Sequence, residues 1–420
     1  MKRGFYTIMA AQFFSSLADN ALLITAMVLL ATIKAPAWMT PLLKLFFVLS
    51  YVLLAAFVGA FADSLPKGRV MFITNMIKVA GCALMFFDVH PLIAYAVVGF
   101  GAAAYSPAKY GILTELLPPE KLVAANGWIE GLTVTSIILG TVMGGALSNP
   151  EISAMLLHFD FPVLDFGVDT PAEAALFIVT GCYALAALFN LQIPDTGARY
   201  DHQQHNPIKL VVDFGNCFIT LWKDKLGQIS LAVTTLFWGA AATLQFIVLD
   251  WARLSLHMPL NKAAILQGVV ALGVALGAAG AAQFVPLKKS LCVMPLGIAM
   301  GLVVITMTLI TDVHLAYPLL ILVGALGGYF MVPMNALLQH RGHVLMSAGH
   351  SIAVQNFNEN LSILVMLALY ALMVSFSLNI YVVIVLFGLF VSGTMYAVMR
   401  KHAANQLEFD SIALIGEHKH

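Results

Sequence analysis

Asp19 and Lys109 are the first residues to explain, because each lies several helical turns inside a stretch of sequence long and apolar enough to cross a bilayer. A lone charge at the bilayer centre costs about 2.5–3.5 kcal/mol by insertion measurements, so both side chains are expected to face a cavity. The plainer reading is that they pair as a buried ion bridge which only orders a helix bundle. The functional reading, favoured because ionisable groups inside membranes usually mark a pathway, is that a polar ligand competes for the pair. A carboxylate suits an ammonium and a lysine suits a phosphate.

Two further polar faces interrupt apolar stretches, Asn126 with Glu130, and Gln355, Asn356, Asn358, Glu359 and Asn360. Helix-to-helix hydrogen bonds worth about 1 kcal/mol each would account for them, and for the run around Asn356 that reading and a binding role are evenly balanced. Lys78, about two turns beyond Arg69, is expected to snorkel back to the interface. His340, His343 and His350 lie near Arg341 without a cysteine or carboxylate to complete a metal set, and Cys82, Cys182, Cys217 and Cys292 are scattered singly. No HExxH, GxSxG or Walker-type phosphate loop occurs, so neither an enzyme nor an ATP-driven pump has support, and no metal or cofactor is implied.

The segment from Gly59 through Asp63 to Lys67-Gly68-Arg69 joins two apolar stretches with a charged turn. A positive-inside loop explains Lys67 and Arg69 but not Gly59 and Asp63 at their spacing. The segment resembles the loop signature of the major facilitator superfamily. That resemblance implies a gating role: the small residue permits close packing, Asp63 engages the opposite half, and the basic pair holds the turn.

The elements that position these residues follow from composition. With 420 residues, 60% hydrophobic, 10% charged and a mean hydropathy of +0.90, the chain reads as a polytopic helical membrane protein. Its runs are continuous and rich in Gly and Ala rather than alternating, which disfavours a barrel. Twelve spans are expected near 5–33, 41–62, 70–88, 92–114, 122–148, 171–192, 228–253, 263–284, 291–311, 315–338, 346–375 and 378–399. They group as a six-helix half over 1–192, a cytoplasmic linker over 193–227 with an amphipathic portion around Ile208–Trp222, a second half over 228–401 and a cytoplasmic tail over 402–420. Alternating sides gathers Lys2, Arg3, Lys67, Arg69, Lys121, Arg199, Lys209, Lys223, Lys225, Lys288, Lys289, Arg341, Arg400, Lys401 and Lys419 on one face, against Lys34, Lys44, Arg253 and Lys262 on the other, so both termini are expected in the cytoplasm. The outer stretch 149–171 is acidic. Lys plus Arg and Asp plus Glu number 21 each, leaving no basic excess for nucleic acid.

An internal repeat relates the halves. At one offset Asp19 falls on Gln245 and Pro107-Ala108-Lys109 on Pro333-Met334-Asn335, while Asp63…Lys67-Gly68-Arg69 falls on Gln283…Leu287-Lys288-Lys289 and Asn126…Glu130 on Gln355…Glu359 at nearby offsets. Parallel repeats of this kind place a substrate site near the midplane.

Gln12-Phe13-Phe14-Ser15-Ser16-Leu17-Ala18-Asp19-Asn20-Ala21, Tyr105-Ser106-Pro107-Ala108-Lys109-Tyr110-Gly111, Ala125-Asn126-Gly127, Val332-Pro333-Met334-Asn335-Ala336 and Gln355-Asn356…Glu359-Asn360 resemble the bacterial lysophospholipid transporter family over nearly the whole chain. The resemblance implies a twelve-helix major facilitator fold in the inner membrane. It also implies inward movement of lysophosphatidylethanolamine and lysophosphatidylglycerol by facilitated alternating access, and reacylation by a cytoplasmic acyltransferase with acyl-carrier-protein synthetase activity. Substrate contacts are then expected at Asp19, Asn20, Lys109, Gln245, Asn335, Asn356 and Glu359, and gating at Gly59, Asp63, Lys67 and Arg69, with membrane lipids as surroundings and a monomer as the working unit. Gln245 departs from the family's expected basic residue, and the 149–171 stretch is longer than expected. The alternatives are a proton-coupled exporter of amphipathic drugs, with Asp19 or Glu359 carrying the proton, and a membrane scaffold for the acyltransferase.

Overall fold

The computed structural model describes residues 3–36, 39–147, 151–152, 155, 170–200 and 206–415, and the expected acidic stretch at 149–171 lies almost wholly outside them. All regular structure among the described residues is helical. Eleven helices are long and apolar enough to cross a membrane, or 12 spans if one bent pair counts as a single crossing. The chain is therefore a multi-pass membrane protein.

Two compact units form. One comprises the chain up to Ile112 together with Thr135–Leu210, and the other comprises Leu113–Val134 together with the chain from Val211 onward. The first contains α1 (Arg3–Thr32), α2 (Met39–Leu53), α3 (Ala55–Ser64), α4 (Lys67–Phe86), most of α5 (Pro91–Leu116), the second half of α6 (Leu122–Leu147) and α7 (Pro171–Leu191). The second contains the first half of α6, nearly all of α8 (Pro207–Lys223), then α9 (Gly227–Leu254), α10 (Leu260–Phe284), α11 (Met294–Ile305), α12 (Val313–Leu345), α13 (Ala348–Ser375) and α14 (Ile380–Glu408).

Local chemistry sets several of these ends. Thr170 and Glu173 form a reciprocal capping box, and Pro171 opens α7 where no amide partner is needed. Asn206 accepts from the Ile208 amide ahead of α8, again with proline at the first helical position.

The expected second span is broken: α2 and α3 meet at 67°. Ser50, in the last turn of α2, turns its hydroxyl back onto the Phe46 carbonyl at 2.9 Å, an arrangement that bends helices, and Leu54 falls outside both segments. The ninth span also differs, entering through a 3-10 stretch, Leu287–Val293, and leaving through another, Thr306–Leu309. The tenth does not stop near 338. It runs on as α12 to Leu345, so His340, Arg341 and His343 lie on a helix rather than in a loop. Apolar content marks only the lipid-crossing part of such a helix, and Arg341 is kept inside protein by a carboxylate partner, Asp224.

In the first unit the core is a stripe along α1 that carries Ala18, Ala21, Leu22, Ala26 and Leu30 against Cys82 and Met85 of α4, Tyr95 and Val98 of α5, and Leu176, Val179 and Tyr183 of α7. Close approach between α4 and α5 depends on Gly101, where an added Cβ would stand 2.8 Å from both Lys78 Cγ and the Thr74 carbonyl oxygen. In the second unit α10 and α12 pack backbone to backbone through Gly273, Gly277, Gly324 and Gly328, the small-residue contact that replaces hydrophobic driving force within lipid.

Candidate functional site

The polar centre of the first unit lies on the same α1 stripe, where Ser15 and Asp19, four residues apart, interrupt the apolar surface. Opposite them, Asn75 and Lys78 share one face of α4. Lys78 Nζ donates to both Asp19 carboxylate oxygens, at 2.9 and 3.0 Å, and to Ser15 Oγ at 3.0 Å. Ser15 Oγ in turn donates to Asn75 Oδ1 at 2.9 Å, and Tyr183 of α7 donates its hydroxyl to Asp19 Oδ1 at 2.7 Å. The Lys78 ammonium also lies 5.1 Å from the Tyr105 ring centroid and 5.4 Å from that of Tyr183, within cation–π range.

Lys78 therefore does not snorkel. Its side chain is 1% exposed, because the Asp19 carboxylate offers in the interior what the interface would offer elsewhere. The cation facing Asp19 is Lys78 rather than Lys109. Lys109, half-buried on α5 two residues after the helix-internal Pro107, places its ammonium 4.0 Å from the Tyr110 ring centroid.

Asp19 remains 23% exposed, and three of the roughly four acceptor positions on its carboxylate are filled. Around it, the Tyr105 hydroxyl and the Asn75 amide nitrogen are buried without a hydrogen-bond partner. The centre is thus charge-balanced but not saturated, which suits the exchange of hydrogen bonds with a polar ligand. Asn20, also singled out from the sequence, bonds back to the Ser16 carbonyl of its own helix at 2.8 Å.

The second unit holds a separate amide network. Asn126 of α6 and Gln339 of α12 exchange two hydrogen bonds at 2.9 Å each, and Asn335 Nδ2 donates to Asn126 Oδ1 at 2.9 Å. Gln355 of α13 donates to Asn335 Oδ1 at 2.6 Å and to Glu359 Oε1 at 2.8 Å. All five side chains are buried. Asn335 and Glu359 are thereby brought together, Asn356 is buried on the same helix, and Gln245 is exposed on α9, with its backbone carbonyl accepting from Gln267 at 3.3 Å.

At the charged turn, Lys67 Nζ meets Asp63 Oδ1 at 2.5 Å and the Ala62 carbonyl at 2.7 Å, with both side chains buried. Its ammonium also lies 4.8 Å from the Tyr200 ring centroid. Gly59 lies buried within α3 and Arg69 is exposed on α4. Beyond α7, Arg199 grips Asp195 through two contacts, at 2.7 and 3.0 Å. That guanidinium, with the Gly197 amide, pulls the carboxyl down to about 2.

Sequence reading missed Tyr183, Tyr105, Ser15, Asn75 and Gln339 as partners. Two signals were present: Ser15 with Asp19 at i, i+4, and Asn75 with Lys78 at i, i+3, are matched polar faces on separate helices. The tyrosines gave none, since one aromatic in an apolar helix looks like core.

These helices, packed through small residues with charges held inside, define a polytopic carrier. The description "Major Facilitator Superfamily" matches residues 8–365, and the chain belongs to that superfamily. More narrowly, it falls in the family of the lysophospholipid transporter LplT. It is 40% identical to that protein of Yersinia enterocolitica over 375 residues, covering 89% of this chain and 88% of the relative. It is 41% identical to that of Serratia proteamaculans over 375 residues, covering 89% of each. Among solved structures it resembles in fold an outward-facing bacterial homologue of the iron transporter ferroportin (TM-score 0.71, 13% identity, 96% of this chain and 100% of that one). It likewise resembles FucP in the outward conformation (TM-score 0.72, 14% identity, 95% and 98%).

Proposed function

We propose that this membrane transporter carries lysophospholipids from the outer to the cytoplasmic leaflet of a bacterial inner membrane, with both termini in the cytoplasm. Lysophosphatidylethanolamine and lysophosphatidylglycerol are the proposed cargoes, and a cytoplasmic acyltransferase with acyl-carrier-protein synthetase activity consumes them. The observation that carries the reading is the Asp19–Lys78–Tyr183 centre: a balanced ion pair on the α1 stripe, with an accessible carboxylate edge and unsatisfied polar atoms beside it. A zwitterionic head group can trade hydrogen bonds with such a pair without bringing net charge into the membrane. The ammonium of lysophosphatidylethanolamine takes the free edge of Asp19, while half-buried Lys109 takes the phosphate. The single acyl chain needs only apolar wall, which every span supplies.

Names given to relatives at about 40% identity support the cargo. The buried Asp63–Lys67 pair supports a gate whose ionic bonds break and reform as the carrier changes state. Movement is facilitated, because reacylation inside sustains the gradient. Glu359, already hydrogen-bonded to Gln355, serves helix packing. The test is entry of labelled lysophosphatidylethanolamine into proteoliposomes of the purified protein. Entry above that of protein-free vesicles, unchanged by an uncoupler, is expected. No entry removes the cargo assignment. Entry abolished by the uncoupler, restored by an imposed pH gradient and absent in Glu359→Gln, replaces facilitation with proton coupling.

A further inference from the structure

Helix α8 has three faces where a linker helix needs two. The docking face carries Phe214, Phe218, Leu221 and Trp222, which pack on Leu231, Leu338 and Val354 and set Phe214 and Phe218 edge-on to Phe357, at ring centroid distances of 5.5 and 6.2 Å. A polar edge carries Lys209, Asp213, Asn216, Thr220 and Lys223. Between them runs a second apolar strip: Ile208, Val212 and Ile219, on one face at spacings of four and seven residues, are 75%, 56% and 49% exposed, with Val211 at 52% alongside. Water does not favour such a strip, and nothing in the docking of α8 requires it.

The position of α8 is fixed. Just beyond its end, Asp224 accepts from the Leu226 and Gly227 amides at the start of α9, at 3.1 and 2.7 Å, and takes a two-pronged grip from Arg341, with contacts of 2.9 and 3.0 Å. The side chains of that ion pair are only 8% and 9% exposed. The turn from α8 into the span α9 is thus clamped to the end of α12, and the docking face rests on the ends of spanning helices, where a bilayer has its boundary.

We infer that the strip Ile208–Val212–Ile219 is a lipid-contacting surface, with α8 lying in the interface plane of the membrane. The continuity of α8 with spanning helices carries this choice of occupant. Charge complements it: Lys209 and Lys223, at opposite ends of the polar edge, meet anionic lipid phosphates while the valine and isoleucines enter about 5–10 Å into the acyl boundary. Interfacial helices of this kind have a charged polar face, an apolar face and modest net hydrophobicity. A carrier of lipids anchored this way keeps the joint between its repeats at a fixed depth.

The test uses the full chain with its four cysteines replaced. Single cysteines at Ile208→Cys, Val212→Cys, Ile219→Cys, Asn216→Cys and Thr220→Cys are labelled with an environment-sensitive fluorophore. Each is reconstituted in phosphatidylethanolamine–phosphatidylglycerol vesicles, with or without lipid carrying a nitroxide near the head group. Emission at Ile208, Val212 and Ile219 should be blue-shifted and quenched by the nitroxide at least about twofold more than at Asn216 and Thr220. Equal, water-like emission at all five positions overturns the inference. So does a blue shift at the apolar positions without quenching, which marks a protein partner or a second copy on the strip. As a check independent of labelling, Val212→Asp with Ile219→Asp should leave detergent-purified protein folded but lower its recovery in the membrane fraction. Unchanged recovery counts against lipid contact.

Discussion

Replacing Lys78 by Met keeps the length and flexibility of the side chain and removes its charge, leaving Asp19 with the Tyr183 hydroxyl as its remaining donor. Breaking a buried ion pair by deleting one partner costs about 3–5 kcal/mol. The partial exposure of Asp19 lowers that cost, so about 3 kcal/mol is expected for Lys78→Met. In the double variant Lys78→Met/Asp19→Asn no charge remains, and Asn still accepts from Tyr183. Its loss should be about 1 kcal/mol, about 2 kcal/mol less than that of Lys78→Met alone, whereas independent sites would add the loss of Asp19→Asn to it. The assay is thermal unfolding in nanodiscs, compared at one scan rate because membrane proteins unfold irreversibly. For a chain of this length each kcal/mol is worth about 1–2 °C, so the single variant should fall by about 3–6 °C and the double by about 1–2 °C. Additive losses, with the double variant worse than either single one, would refute the claim that Lys78 and Asp19 are partners.

Four other outcomes follow from the same geometry. Gly101→Ala forces a methyl against the Thr74 carbonyl and Lys78, and should destabilise by about 1–3 kcal/mol, whereas Gly181→Ala, with nothing within 4 Å, should raise the unfolding midpoint by the helix propensity of about 0.5–1 kcal/mol. Gln339→Leu removes two hydrogen bonds from Asn126, which keeps those with Asn335 and the Leu122 carbonyl, and should cost about 1 kcal/mol in the same unfolding assay. Asp63→Ala deprives buried Lys67 of its carboxylate and should slow transport at normal membrane abundance, while an unchanged rate would remove the reason to regard this turn as a gate. The Asp195 carboxyl, held down to about 2 by Arg199, keeps its clasp above the ordinary carboxyl value of 3.8 and loses it only as pH falls through about 2; isotope-edited infrared titration should show Arg199→Ala moving it back up toward 3.8.

Much of the fold was legible because lipid is a demanding solvent. Long apolar runs between breakers can only be helices, so span number and order followed from composition, and the amphipathic stretch before α9 was visible in its periodicity. The break between α2 and α3 was not visible, since Ser50, which turns to its own helix just before it, reads the same as a serine facing outward. The extra turns of α12 were hidden for a related reason: Arg341 looks like a loop residue until its carboxylate, over a hundred residues earlier, is known. At the polar centre Asp19 stood out because charge in an apolar helix is costly, but its partner depended on which helices adjoin. Two lysines, Lys78 and Lys109, were available, and only packing chose between them. The Asn335–Gln355–Glu359 cluster was half legible, as polar faces whose mates could not be assigned.

The Asp19 centre either handles the lipid head group or merely fastens α1 to α4, and the double variant Lys78→Met/Asp19→Asn separates the two. Reconstituted at the same protein-to-lipid ratio as the wild type, it should unfold within a few degrees of it. It should nonetheless move labelled lysophosphatidylethanolamine about 10- to 100-fold more slowly, the loss of one charge-assisted hydrogen bond to the head group. A stable double variant that transports at the wild-type rate would contradict the account.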